Sequence, residues 1–335
     1  MGLSLDMDKK TLEKISKEFK RWGGKAYEVA KETILNEEKI VYRNLCEAIK
    51  YFIDLWHNFQ HPTLLAIACK AVGGEPEKTT LIGAALVLLT GGVDIHDDVI
   101  DKSKMKGMRA TVYGKFGEDL SIITGNVLLI EGLTLLGVAC KNFPKEQGEN
   151  IQKLVKQGLF ELGDAVAEEA SLKGNWNLDP EKYLGIIKRK AAIAEVATRI
   201  GAIVGGASLE EVEIWGKIGR IIGMSMNIRD EFVDIFEAEE LKNRKNNECL
   251  PLPILYAMRD PEVRKRIIHL LIKKELTNND ATEVAKIVLE TKDVKMFKAY
   301  MQNLISEGLD YLHDYKDCRE VEILISLLEL ALKDL

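Results

Sequence analysis

Leu86-Val-Leu-Leu-Thr-Gly-Gly-Val-Asp-Ile-His-Asp-Asp-Val-Ile-Asp101 is an apolar run that ends in four acids and a histidine. Asp97, Asp98 and Asp101 stand at i, i+1 and i+4, so on a helix turning about 100° per residue Asp97 and Asp101 share a face and Asp98 flanks it. Three carboxylates aimed at one volume repel one another unless a cation sits among them. Oxygen donors without cysteine or a second histidine suit a hard ion such as Mg²⁺. A second set, Arg229-Asp-Glu-Phe-Val-Asp234, repeats the spacing about 130 residues further on. Two such faces across a cavity would hold several Mg²⁺ ions and, through them, a diphosphate.

A single D-D-x-x-D on a helix is more often a solvated face or a frayed end. Here the first copy continues an almost wholly apolar helix, and Ile221, Ile222, Met224, Met226, Phe232, Val233, Ile235 and Phe236 frame the second. Both sets therefore read as the mouth of a buried region.

The rest of the chain bounds the answer. Its 335 residues are 46% hydrophobic, enough for a sizeable core, and the net charge of -6 argues against nucleic acid as a partner. Cys46, Cys69, Cys140, Cys249 and Cys318 are scattered and odd in number with no C-x-x-C, which fits free thiols in a reducing cytoplasm. The start, Met1-Gly-Leu-Ser-Leu-Asp-Met-Asp8, reads as no leader peptide, and Asp6 stands where a myristoylation signal wants Ser or Thr.

Apolar residues recur at three and four spacings, strand-like alternation is scarce, and only seven prolines interrupt the chain. The pattern predicts helices over 8–22, 25–34, 38–57, 62–72, 77–103, 117–141, 145–173, 180–206, 208–240, 250–259, 261–274, 279–290, 293–314 and 317–334. Asp179-Pro180-Glu and Asp260-Pro261-Glu each supply an N-cap, a proline at the first helical position and an acid for the helix dipole. Pro62 and Pro144 are expected to open helices, and Gly73-Gly-Glu-Pro76 a loop. With no linker or low-complexity segment, a single all-helical domain over 1–335 is the simplest expectation. Residues 261–335 are expected to cover it or to complete a dimer contact.

Leu81–Ile95 invites a membrane reading, but it is about 15 residues against the roughly 20 that a span needs, and it contains Asp94. A buried central helix is expected instead, with no transmembrane segment. Its Gly83, Ala84, Ala85, Gly91 and Gly92 either let neighbouring helices approach closely or leave an apolar hollow. Five histidines without a Glu-x-x-His weaken a di-iron bundle, and no phosphate-cradling glycine motif is present. His96 reads as a hydrogen-bonded packing residue.

His96-Asp-Asp-Val-Ile-Asp101, Lys106-Gly107, Thr111, Lys115-Phe-Gly117 and Thr124-Gly-Asn-Val-Leu-Leu129 together resemble the first aspartate-rich region of the trans-isoprenyl diphosphate (polyprenyl) synthases. Tyr183-Leu-Gly-Ile-Ile-Lys-Arg-Lys-Ala191, the second acid set and Leu250-Pro-Leu-Pro-Ile-Leu-Tyr-Ala257 follow in that family's order, so the likeness runs from about residue 40 to 260. The resemblance implies an all-α, isoprenoid-synthase-type helical bundle around a deep apolar cavity, usually a homodimer, with a heteromeric partner as an alternative. It implies Mg²⁺ held by Asp97 and Asp101 on one side and Asp230 and Asp234 on the other, gripping the diphosphate of an allylic prenyl donor. Departure of that diphosphate leaves an allylic carbocation, the barrier being lowered by electrostatics rather than by a protein nucleophile. Asp98 belongs to the same catalytic motif, and Lys190 matches a lysine that contacts the donor diphosphate. Read on its own, Lys190 is one cation of a solvated turn.

The departures fall on the second substrate, isopentenyl diphosphate. The family's Gly-Gly-Lys-Arg-x-Arg-Pro stretch becomes Trp56-His-Asn-Phe-Gln-His-Pro62, the histidine before the first motif becomes Thr90, Met105-Lys-Gly107 keeps one cation, and Glu231 replaces an aspartate. A site for two to three negative charges depends on charge-assisted bonds from Arg or Lys. Three readings follow. One is an elongating prenyl diphosphate synthase whose second phosphate is held by His57, His61, Lys106 and Arg109, or by Lys242, Arg244 and Lys245. Another is an enzyme of the same fold that passes the allylic group to a less anionic acceptor, or cyclises or hydrolyses the donor. Terpene cyclization fits poorly, because its second motif would need different residues at Asp234 and Ala238. The third is a non-catalytic partner subunit, against which the intact acids count. In the family that the chain resembles, a bulky residue four or five positions before the first acid plugs the cavity; by that resemblance the small Gly92 and Val93 imply room for a product of about C20 or longer.

Overall fold

Asp179 and Asp260 cap their helices as the Asp-Pro-Glu triplets predict: Asp179 accepts from the Glu181 N–H at 3.3 Å, and Asp260 from Glu262 and Val263 at 2.8 and 3.2 Å. The structure, a computed structural model, describes residues 5–107 and 109–334; the Met1-Gly2 start, on which the leader and myristoylation expectations fall, lies outside them. The described residues are almost entirely α-helical, with 3₁₀ turns at Pro76–Thr79 and Arg319–Val321 and one two-stranded ribbon, Met105–Lys106 against Arg109–Ala110. The all-α expectation holds.

Four predicted helices are drawn differently. Those at 8–22 and 25–34 form one helix, Leu5–Leu35. Gly23 does not break it; a Cβ there would lie 2.7 Å from the Phe59 carbonyl oxygen, so the glycine serves a close approach. The span 180–206 is two helices, Pro180–Lys190 and Ala192–Gly205, turned at Ala191 where Arg220 Nη1 donates to the Lys188 carbonyl at 2.8 Å. The span 208–240 divides into Leu209–Asp234 and Ala238–Asn247, so the second acid set closes a helix rather than sitting inside one.

The chain forms two compact units. One comprises the described residues through Leu159 with Ile193–Gly219 and Tyr315–Ser326; the other comprises Phe160–Ala192, Arg220–Asp314 and the described residues from Leu327 onward. In the first unit the Thr80–Ile100 helix is central, and Ile82 through Gly92 are buried along it. Its small residues serve close packing. A Cβ on Gly83 would lie 3.0 Å from Ala26 and 3.1 Å from Pro62, and one on Gly92 would lie 2.7 Å from the Gly125 carbonyl oxygen. The hollow expected at Gly92 is therefore corrected: that position is a contact with the Glu118–Cys140 helix. Val93 is half-buried.

Among the described residues two helices are long and apolar enough to cross a membrane, Pro76–Ile100 and Glu118–Cys140. The first is 72% buried within the protein, as a central core helix should be. The second is 39% buried and exposes Ile122, Ile123, Ile130, Leu133 and Val138. These five residues recur along one side of the helix.

The second unit has its own core. Tyr183, Phe232, Leu252, Tyr256 and Phe297 are buried in it, and the Tyr256 and Phe297 rings stack with centroids 4.6 Å apart. Ile267, Leu271, Val284, Val288 and Met301 bury there too, so the helices from Pro261 to Met301 help to build this core.

Candidate active site

The first acid set lies where the Thr80–Ile100 helix stops. Asp101 is its C-cap, donating its N–H to the Asp97 carbonyl at 2.8 Å. Carboxylates at a helix C-terminus meet the negative end of the helix dipole, so a cation is needed to stabilise them. Beyond the cap, Lys102 takes φ 54°, a left-handed value rare outside glycine, and the chain turns back into the ribbon. Thr111 fastens that return: its hydroxyl donates to the Ser103 carbonyl at 2.7 Å and accepts from the Gly114 N–H at 2.9 Å. Gly114 is required there, because a Cβ would lie 2.0 Å from the Lys104 oxygen.

The ribbon delivers Lys106 to the helix. Its Nζ lies 2.9 Å from Asp98 Oδ1 and 3.0 Å from Asp94 Oδ1. Asp98 is only 5% exposed, and burial pushes its carboxyl up to about 7 although Lys106 pulls it down. The three acids thus do not share one volume: Asp98 turns with Asp94 toward Lys106, leaving Asp97 and Asp101, both half-buried, as the outer pair. Asp94 was legible as the acid one turn before Asp98. His96 Nε2 lies 3.2 Å from the Ile122 carbonyl oxygen and packs on Gly125, a structural contact.

Beside Asp98 is a cavity of about 270 Å³. Phe52, Trp56 and Tyr51 wall it, and Asp94, Lys106 and Arg109 line it. Tyr51 donates its hydroxyl to the Ala110 carbonyl at 2.7 Å and so ties the Arg43–Leu55 helix to the ribbon.

The second acid set ends the Leu209–Asp234 helix, again at a C-terminus. Its middle acid, Glu231, points into the unit's core. It pairs with the guanidinium of Arg244, accepts the Leu252 N–H at 2.7 Å and lies 3.1 Å from the Tyr183 hydroxyl oxygen. The extra methylene relative to aspartate extends this reach. Arg244 is 6% exposed, also pairs with Glu248 at 3.0 Å, and brings Nε to 3.7 Å from Asp234. Burial raises the Asp234 carboxyl to about 8, with Arg244 opposing. Asp230 keeps an exposed side chain, 3.8 Å from Arg229. Lys190 closes its helix paired with Glu169 at 2.6 Å, and Glu169 also takes the Tyr183 hydroxyl at 2.8 Å. Burial opposes ionisation of Glu169, but Lys190 and Arg244 outweigh it and hold that carboxyl below its usual range. Lys190 therefore joins this network rather than a solvated turn. Glu169, Tyr183 and Arg244 were not singled out together from sequence, because they meet only through the fold.

Most cations proposed for a second phosphate are engaged elsewhere. Lys106 is held by two carboxylates, and burial lowers the His61 imidazole to about 4, leaving it neutral at pH 7. Lys242 pairs with Glu275 at 2.7 Å, Arg244 is buried, and Lys245 donates to the Leu271 and Lys273 carbonyls. His57 packs beside the Tyr27 and Phe59 rings. Arg109 is exposed and has no ion pair among the described residues.

Among the described residues no three His, Cys, Asp or Glu side chains gather into a closed metal site. Each outer pair instead offers two hard oxygen donors. That suits Mg²⁺, which keeps waters and completes its shell with substrate phosphate.

An all-helical fold with paired acids ending two helices defines the isoprenoid-synthase class. The sequence model of the Polyprenyl synthetase family matches residues 43–288, and the chain belongs to that family. It is 27% identical over 202 residues to a short chain isoprenyl diphosphate synthase of Methanothermobacter thermautotrophicus, covering 60% of this chain and 61% of that protein. It is 24% identical over 286 residues to a geranylgeranyl diphosphate synthase of Methanosarcina mazei, covering 84% and 87%. The match thus spans less than two thirds of the first relative. In fold it is similar to the crystal structure of geranylgeranyl pyrophosphate synthetase from Pyrococcus horikoshii, with a TM-score of 0.81 and 18% identity over 96% of this chain and 99% of that one.

Proposed function

We propose that the chain is a Mg²⁺-dependent prenyltransferase, a single polyprenyl-synthase-like domain that ionises an allylic prenyl diphosphate and joins the allylic group to an acceptor. The observation that carries this is the outer pair Asp97 and Asp101 at the C-terminal end of a buried apolar helix, in a chain of this family. Mg²⁺ bound there supplies charge neutralisation for the departing diphosphate. Asp97 and Asp101 hold that cation, and Asp230 and Asp234 take the same role at the second set. Asp98 is a positioning residue, anchored by Lys106. Phe52 and Trp56 present aromatic faces that shield a nearby allylic cation from water and attract it electrostatically.

Isopentenyl diphosphate as the acceptor, with a product of about C20 or longer, is favoured by the names of the relatives, a short chain isoprenyl and a geranylgeranyl diphosphate synthase. The engagement of Lys106 and the neutrality of His61 favour a less anionic acceptor. Both readings share the donor half. The exposed apolar stripe of the Glu118–Cys140 helix supports a homodimer, and Ile130→Asp with Leu133→Asp is expected to yield a monomer in analytical ultracentrifugation. The scattered cysteines support a cytoplasmic setting.

The test is a product assay on the full chain with Mg²⁺ and allylic diphosphates from C5 to C20, with and without isopentenyl diphosphate. Diphosphate release is expected, and elongated products would identify the acceptor. A chain that releases diphosphate from no donor in any mixture is not a prenyltransferase, and the partner-subunit reading would replace this one.

A further inference from the structure

The cavity beside Asp98 is built for a molecule without net charge. Two carboxyl side chains, Asp94 and Asp98, and two cationic ones, Lys106 and Arg109, line it, so acids and bases are matched in number. Lys106 is clasped by both carboxylates at 2.9 and 3.0 Å, so a diphosphate would have to detach it and then lie beside two uncompensated acids. Arg109 alone could answer two to three negative charges, and it is the cross-strand neighbour of Lys106 on the ribbon.

What the cavity offers instead is aromatic surface. The Phe52 and Trp56 rings stack with centroids 5.0 Å apart and planes 25° from parallel, and Tyr51 adds a third ring. Gly91 leaves room for them: a Cβ there would lie 2.9 Å from the Phe52 ring and 3.2 Å from Trp56. The volume of about 270 Å³ approaches that of ordinary small-molecule sites. Its place is equally specific, since Asp94 and Asp98, which line it, stand in the last turns of the helix that carries Asp97.

We infer that this cavity is the acceptor pocket and that it takes an uncharged aromatic acceptor rather than a second diphosphate; the inference rests on the donor half of the proposed function. The allylic carbon–oxygen bond breaks, with its electron pair leaving on the diphosphate. A pair of electrons from the acceptor ring forms the new carbon–carbon bond. The ring proton that is displaced passes to the departing diphosphate, which completes the balance.

The experiment uses the full chain with Mg²⁺, indole as the neutral aromatic probe and isopentenyl diphosphate as the anionic one. Prenylated indole should appear by mass spectrometry with an allylic diphosphate donor, and elongated diphosphates should not. Calorimetric titration separates the pocket from the donor chemistry. Wild-type chain should bind indole, and Asp94→Asn, which frees Lys106 from one acid, should tighten isopentenyl diphosphate by about tenfold. Trp56→Ala should weaken indole and leave isopentenyl diphosphate unchanged, a check that stands if Asp94→Asn does not fold. Elongation by wild-type chain, or isopentenyl diphosphate bound more tightly than indole, overturns the inference. If no donor is ionised, the donor reading fails by itself, and the titrations still decide what the pocket prefers.

Discussion

The two acid sets share one spacing and differ in what answers the middle acid. In the first, Asp98 meets Lys106, a ribbon lysine whose side chain is 54% exposed. In the second, Glu231 meets Arg244, whose side chain is 8% exposed, together with the Tyr183 hydroxyl and the Leu252 N–H. The i, i+1, i+4 pattern thus places an outer pair at a helix end in both cases, while the middle acid is spent on local structure. The first set is fastened by one partly exposed cation on a buried carboxyl. The second is part of a core.

Breaking the buried anchor should have the largest effect. Arg244→Met leaves Glu231 and Glu248 without their cation in the interior and should cost about 3–5 kcal/mol in chemical denaturation. An intermediate effect, of opposite sign, is expected at Asp234. A carboxyl raised from 3.8 to about 8 holds its proton in the folded state, so it costs nothing below pH 4, and stability falls as pH rises through that window. Asp234→Asn should therefore stabilise the metal-free chain at pH 8 and change nothing measurable at pH 3.5. Thermal melts at the two pH values would show it, and equal shifts at both would contradict the assignment. The smallest effect belongs to the first anchor: Lys106→Met should cost less than Arg244→Met, because the buried Asp98 carboxyl, already raised to about 7, takes up a proton when its cation is lost. If Lys106→Met and Arg244→Met cost the same, the contrast between rim and core is wrong.

Much of the fold was legible because helices announce themselves by period and cap. Asp179-Pro180 and Asp260-Pro261 start helices where expected, and Thr80–Ile100 is the buried helix that its composition demanded. The misses have tertiary causes. Gly23 resembles a break and is a packing notch against Phe59, whereas Ala191 carries no breaking signal and turns where Arg220, a residue 32 positions from Lys188, takes a carbonyl. At the site, spacing identified the outer acids but not the partners of the middle ones. Lys106 reaches Asp98 through a ribbon that helical periodicity hides, and Tyr183 and Arg244 lie 61 positions apart in the chain. Gly92 shows the converse: a small residue at the right position for a hollow faces another helix.

The measurement that bears most directly on the outer-pair assignment is diphosphate release from an allylic diphosphate, with and without Mg²⁺, for wild-type chain, Asp97→Ala and Asp98→Asn. Release should require Mg²⁺, fall by about 10²-fold or more in Asp97→Ala with an unchanged melting temperature, and fall far less in Asp98→Asn. Equal losses in the two variants, or release by Asp97→Ala at the wild-type rate, would contradict the division of labour between outer and middle acids.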